Sequence, residues 1–151
     1  MPVIRPSLVS EKDTLLDLWE RSVRATHHFL SEGDVLSYRP LVKEALASDL
    51  ELWTVRGDTE NEPLGFMGLG ADALGALWKL EALFIDPRFL RKGLGTLLVT
   101  HARLVKGPLI LDVNEQNPNA RAFYSRFGFV ETGRSPIDGA GLPFPLLHMF
   151  G

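Results

Sequence analysis

Leu83-Phe-Ile-Asp-Pro87, followed closely by Leu90-Arg-Lys-Gly-Leu-Gly-Thr96, is the stretch on which the fold turns. An apolar run that ends in Asp-Pro reads as a strand brought to a stop, because proline has no N–H to offer a ladder. From Gly93 to Val105 the pattern changes to a helix, with Leu94, Leu97, Leu98, Leu104 and Val105 on one stripe. Strand, glycine turn and helix in that order suit an anion such as a pyrophosphate. Gly93 and Gly95 let the backbone approach closely, successive N–H groups point outward, and the positive end of the helix dipole faces the ligand. Arg88, Arg91 and Lys92 add charge. A tight turn that simply needs glycine is the other reading of a lone G-x-G. A Walker loop would require G-x-x-x-x-G-K-[ST], and a dinucleotide fingerprint a third glycine where this chain has Leu98, so neither motif fits.

Upstream, Leu52 to Arg56, Leu64 to Leu69 and Leu77 to Ile85 are apolar and aromatic runs separated by Gly, Asp, Asn and Pro clusters. They read as three consecutive strands of an antiparallel meander. Before them, Val3 to Arg5 reads as a first strand and Ser10-Glu-Lys-Asp13 as a capping signal for a helix whose Leu15, Leu16, Trp19 and Val23 share one face. Ala25 to Leu30, ended by Gly33, leads to a second helical pattern through Leu41, Val42, Ala45 and Leu46, with Pro40 as its start or a kink. Downstream, Leu109 to Val113 reads as a buried strand. A helix then runs from Asn117 to about Phe127, with Ala120, Phe123, Tyr124 and Phe127 at i, i+3, i+4 and i+7, and stops before Gly128. Phe129 to Thr132 and Phe144 to Met149 complete the sheet, with Ser135 to Pro145 as a long turn between them. The expected architecture is α/β, a mixed and mostly antiparallel central sheet of six to seven strands flanked by about four helices.

A chain of 151 residues is too short for two well-buried units, so residues 1–151 are read as one domain. With 45% hydrophobic and 23% charged residues it can bury a core, and disorder is not expected. The net charge is -3 and the basic residues are scattered, which argues against nucleic acid as a partner. Cysteine is absent, so neither a disulfide nor a thiolate metal site is available. The N-terminus lacks the basic-then-apolar pattern of a secretory signal, and about 18 consecutive apolar residues occur nowhere. No membrane partner and a cytoplasmic location are expected.

The strand ending in Asp86-Pro87 and the turn Leu90 to Gly95 together resemble the acyl-CoA signature of the GNAT N-acetyltransferases, R/Q-x-x-G-x-G/A after a hydrophobic-x-P strand end. Leu90 departs from the first position of that signature, where Arg88 or Arg91 would have to substitute for the usual side-chain contact. A second match is Asn117-Pro-Asn-Ala-Arg-Ala-Phe-Tyr-Ser-Arg-Phe-Gly-Phe129, similar to the family's N-x-x-A-x-x-F-Y-x-x-x-G-F throughout. Ser22-Val-Arg-Ala-Thr-His-His-Phe-Leu30 and Val113-Asn-Glu-Gln-Asn117 further resemble a bacterial subgroup of small acetyltransferases. The resemblance implies acetyl-CoA as cosubstrate and direct transfer of its acetyl group to the primary amine of a small-molecule or peptide acceptor. It implies that the backbone of Arg91, Lys92, Gly93, Leu94, Gly95 and Thr96 cradles the pyrophosphate. Leu83, Phe84 and Ile85 would orient the acetyl arm, and Asn117, Ala120 and Phe123 would line the pantetheine. Tyr124 would protonate the departing thiolate, a role a neutral phenol suits near pH 7. A homodimer is compatible with the family. The rival reading, prompted by Leu90, is a non-catalytic module that binds or senses acyl-CoA.

An alkyl amine with a pKa of about 10 must lose a proton before it attacks. Glu81 is the first candidate for the base and Glu115 the second. Strict alternation would put Glu81 on the face opposite Leu80 and Ala82, where a solvent-facing carboxylate is the competing reading. His27, His28 and Phe29 fall where the family builds its acceptor site, although surface or capping histidines would look the same. His101 lies on the apolar stripe of its helix and is expected to be a hydrogen-bonded core residue, and His148 lies in the terminal strand. No H-x-x-x-H spacing occurs, and no catalytic metal is expected.

Overall fold

The computed structural model describes residues 1–58, 62–72 and 74–151. Strands β1 (Val3–Pro6), β2 (Glu51–Arg56), β3 (Gly65–Ala71) and β4 (Trp78–Ile85) form an antiparallel meander. β5 (Leu109–Asn114) joins β4 in parallel, and β7 (Leu146–Phe150) runs antiparallel between β5 and β6 (Val130–Ser135). The sheet order is β1-β2-β3-β4-β5-β7-β6. Seven strands and the four helices α1 (Lys12–Thr26), α2 (Glu32–Ala47), α3 (Leu94–Lys106) and α4 (Pro118–Arg126) give the α/β architecture read from the pattern.

The sheet has a core on each face. On one, Val55, Met67, Leu69, Leu80, Leu111 and Val113 pack under α3 and α4 through Leu94, Leu98, Val99, Ala102 and Tyr124. On the other, Leu15, Leu16, Leu18, Trp19 and Val23 of α1, with Val35 and Leu46 of α2, cover Phe66. The face expected for α1 is the one buried.

Local details differ from the pattern in ways sterics explain. Ser10 does not cap α1. It lies inside a 3-10 turn, Val9–Glu11, where the Glu11 carboxylate accepts the N–H of Leu8 at 2.8 Å. α2 starts at Ser31, whose hydroxyl accepts the N–H of Asp34 while the Asp34 carboxylate accepts that of Ser31. This reciprocal cap starts the helix ahead of Gly33, which therefore lies inside it, and Pro40 is interior to the helix rather than its start. In α3, Leu97, Leu104 and Val105 are exposed, and the buried stripe is completed by Val99 and Ala102 instead. His101 sits edge-on to Trp53, 4.4 Å between ring centres, and its buried Nε2 has no hydrogen-bond partner among the described residues, contrary to expectation. Among the described residues no helix is long and apolar enough to cross a membrane.

Candidate active site

β4 and β5 are paired only from Trp78↔Leu109 to Leu80↔Leu111, and beyond that the two strands diverge. On its other side β4 stays paired with β3 to its end, Gly65↔Ile85. Asp86 donates its N–H to Leu64 O at 2.8 Å, which makes Asp86, and by alternation Phe84, the residues that bond toward β3. The N–H and C=O groups of Leu83 and Ile85 therefore turn to the opposite edge, into the opening left by β5. Of the three backbone positions singled out in the sequence, Phe84 is the one whose amide belongs to the ladder. Two outward amides beside a wedge between strands can hold a carbonyl oxygen.

After β4, Pro87–Phe89 make a 3-10 turn and the chain enters α3 through two left-handed residues, Arg91 (φ 62°) and Gly93 (φ 77°). Left-handed residues bordering a helix start turn successive N–H groups into one concavity, the geometry of an anion nest. Arg91, Lys92 and Thr96 are exposed, while Leu94 is buried and anchors the turn. Arg88 does not stand in for the side chain that Leu90 fails to supply, because its guanidinium is held on Asp86 at 3.1 and 2.8 Å. Among the described residues neither Arg91 nor Lys92 has an acidic partner, which leaves these two cations at the turn.

α4 brings up the other half of the site. Asn117 caps it, its Oδ1 accepting the N–H of Ala120 at 3.2 Å, and Gly128 (φ 90°) ends it. Tyr124 is buried on the α3/α4 face, with the Phe123 and Phe129 rings 5.2 and 5.6 Å away. Burial alone pushes its phenol pKa up, so the hydroxyl stays a donor at every physiological pH. Among the described residues that hydroxyl has no hydrogen-bond partner.

The chain's sequence matches the family model for the acetyltransferase (GNAT) domain over residues 48–131. It is 41% identical to the peptidyl-lysine N-acetyltransferase YjaB of Salmonella typhimurium over 146 residues, 97% of this chain and 95% of that protein. The chain belongs to the GNAT acetyltransferase family. The solution structure of apo-form YjaB from Escherichia coli matches it with a TM-score of 0.85 at 38% identity, covering 99% of this chain and 97% of that one. The coenzyme A complex of the PaiA N-acetyltransferase from Thermoplasma acidophilum shares its fold, with a TM-score of 0.80 at 22% identity over 99% of this chain and 98% of that one. GNAT enzymes use acetyl-CoA, and this one is an N-acetyltransferase that moves an acetyl group to an amine. A wedge with free amides, a nest at a helix start and an unpartnered phenol are features of this chain that fit such a donor.

On the α1/α2 face of this acetyltransferase, Glu81 is not where alternation puts it. The β3–β4 register shifts between Gly68↔Ala82 and Leu69↔Leu80, leaving Glu81 as the extra residue of a bulge. A Cβ on Gly68 would meet Ala82 at 3.6 Å, and one on Gly70 would meet Glu81 at 3.5 Å. Glu81 and Ala82 thus share a face, opposite Leu80. Glu115 is forked by the Arg134 guanidinium at 2.8 and 3.0 Å, which lowers its pKa and occupies both oxygens. His27 packs against Phe29 and Phe84, with ring centres 5.5 and 6.5 Å apart, whereas His28 is exposed. Burial, and secondarily His28, lowers the His27 pKa to about 4, so it is neutral near pH 7. Phe29 also meets Phe144 of the segment before β7. Among the described residues no three acidic or histidine side chains converge as a metal site would need.

Sequence reading missed one cluster on this face. Lys79 donates to Asp112 at 2.9 Å, Asp112 faces His148 Nδ1 at 2.5 Å, and His148 Nε2 faces the Ser135 hydroxyl at 2.7 Å. Its only signal in the sequence is that Lys79, Asp112 and His148 are polar positions in apolar strands. Their coming together depends on pairing between β5, β7 and β6.

Proposed function

We propose that the acceptor of this acetyltransferase is a lysine side chain in a peptide or protein, and that residues 1–151 act as one cytoplasmic N-acyltransferase domain. Its 41% identity to a peptidyl-lysine N-acetyltransferase over 97% of the chain carries this reading. The α1/α2 face supports it, since the Glu81 carboxylate there is 39% exposed and suits an approaching alkylammonium group.

In this mechanism the nest from Arg91 to Thr96, with the Arg91 and Lys92 side chains, holds the pyrophosphate. Asn117 uses its amide nitrogen on the pantetheine, its oxygen being committed to the helix cap, and Ala120 and Phe123 line that arm. The Leu83 and Ile85 amides receive the carbonyl oxygen as charge builds on it. Tyr124 gives its proton to the departing sulfur, and His27, His28 and Phe29 border the acceptor's approach. The chain has no cysteine, which agrees with direct attack by the amine.

Calorimetry with acetyl-CoA, CoA and a phosphate-free pantetheine analogue tests the donor half. Binding that needs the phosphates supports the nest, and equal affinity for the analogue removes it. Thiol release with capped lysine peptides, set against amino acids and polyamines, tests the acceptor half, and turnover of the small amines alone would overturn the lysine assignment.

A further inference from the structure

The acetyltransferase reaction needs a proton acceptor, and the two carboxylates suggested by sequence are poorly suited to the task. Glu115 is locked on Arg134, and Glu81 sits within reach of the Lys79 ammonium. On the same face as Glu81 lies a chain of contacts crossing three strands. Asp112 is the first β5 residue beyond the last β4–β5 pair, Leu80↔Leu111, and its β7 partner is His148. The Asp112 carboxylate takes Lys79 on Oδ2 and His148 Nδ1 on Oδ1. This fixes the imidazole proton on Nδ1 and leaves the Nε2 lone pair to accept the Ser135 hydroxyl.

We propose that Ser135, His148 and Asp112 form a relay that takes up the proton of the acceptor amine. Ser135 ends β6 and opens the segment that returns through Phe144, whose ring lies 5.7 Å from Phe29 and 6.4 Å from Tyr38. Asp138 in that segment accepts the Tyr38 hydroxyl, fastening it to α2. The segment that follows Ser135 therefore borders α2 and the α1–α2 connection, on the α1/α2 face of the sheet.

As the amine proton passes to Ser135 Oγ, the serine proton passes to Nε2. The freed electron pair forms the bond from nitrogen to the acetyl carbon, the C–S pair leaves on sulfur, which takes the Tyr124 proton, and the second proton of the acylated nitrogen leaves to water. Asp112 balances the imidazolium charge, and exchange with water resets His148 and Tyr124. The charged groups facing the imidazole are Asp112 from β5 and, behind it, Lys79 and Glu81 from β4. Among the described residues β6 presents Ser135 and Gly133, Asp138 lies in the segment that follows Ser135, and His27 reaches that segment through Phe29.

This inference rests on the acetyl-transfer reading, and its test separates the two. Thiol release by the full chain is measured with acetyl-CoA and a capped lysine peptide from about pH 6 to about pH 10. His148→Gln and Asp112→Asn should lower kcat at least about tenfold with the KM for acetyl-CoA unchanged, and the deficit should shrink as rising pH deprotonates the amine. Imidazole should partly rescue His148→Ala, and Ser135→Thr should keep more activity than Ser135→Ala. A deficit uniform across pH, or wild-type kcat in His148→Gln, overturns the relay. Acetyl-CoA alone provides a reading independent of any amine. The relay should activate water, so slow hydrolysis should be several-fold faster in the wild type than in His148→Gln, and equal rates overturn it. Acetyl-CoA affinity, measured on the same proteins, reports on the acetyltransferase reading itself.

Discussion

Gly95 of α3 faces the ring of Phe123 of α4. A Cβ added at Gly95 would lie 3.3 Å from the edge of the Phe123 ring, closer than ordinary packing allows. The first turn of α3 and the body of α4 are thus seated against each other at the one residue without a side chain. Gly93, two residues earlier, has nothing within 4 Å of its missing Cβ and is glycine for its backbone, at φ 77°.

The two glycines should fail differently. Gly95→Leu forces the ring aside and should cost about 1–3 kcal/mol of stability by overpacking, together with a clear loss of acetyl-CoA affinity. Gly93→Ala should cost about 1–2 kcal/mol through left-handed strain alone. Thermal melts and calorimetry on both variants check this, and equal effects at the two sites would contradict the separate causes.

Tyr124→Phe keeps the ring contacts to Phe123 and Phe129 and removes only the hydroxyl. Turnover should fall about 100-fold or more, with acetyl-CoA affinity and melting temperature close to wild type. Steady-state kinetics beside calorimetry would expose a merely structural phenol, since kcat would then be unchanged.

His27 gives the protein a pH-dependent weakness. Its folded pKa of about 4 lies below the ordinary histidine value of about 6.5, so between those values the unfolded chain binds the extra proton. The stability this neutral ring provides is complete above about pH 6.5 and is lost as the pH falls toward 4. His27→Phe should flatten the denaturation midpoint across that window, and an unchanged slope would show that another group is responsible.

Asp86 acts in a lower window. Its carboxylate is 1% exposed and is held by the Arg88 guanidinium, by the Arg88 N–H and by Arg21, which bring its pKa to about 2 against the opposing effect of burial. A depressed carboxylate stabilises above its unfolded value of about 3.9, and that contribution disappears as the pH falls through about 2. Asp86→Ala removes the shared acceptor of two arginines that are 46% and 67% exposed, together with the acceptor of the Arg88 N–H, and should cost about 1–3 kcal/mol at neutral pH. Urea denaturation at neutral and acid pH checks both the size and the window.

Most elements were legible in the sequence because local rules governed them. The α4 stripe of Ala120, Phe123 and Tyr124, the stop at Gly128 and the strand end at Asp86-Pro87 each follow from periodicity or from one residue's backbone limits. The errors fell where a local rule met a partner. The Ser10 signal lost to a turn closed by Glu11, and Gly33 was absorbed by a cap built from Ser31 and Asp34. Leu104 and Val105 continued an apolar pattern onto positions of α3 that the sheet does not cover.

The sequence by itself determined the order of strands and helices, the glycine turn into α3 and the Asn117 to Phe129 motif, and through them the family. Only the tertiary structure decided which side chains share a face. A single extra residue in β4 turns Glu81 to the side of Ala82, and no alternation pattern reveals it because a bulge exists only relative to the paired strand. The meeting of Asp112, His148 and Ser135 is likewise a property of register between β5, β7 and β6. α4 and β6 come between β5 and β7 along the chain, so the alignment of these strands is set by the cores packed on both faces of the sheet rather than by any neighbouring residue.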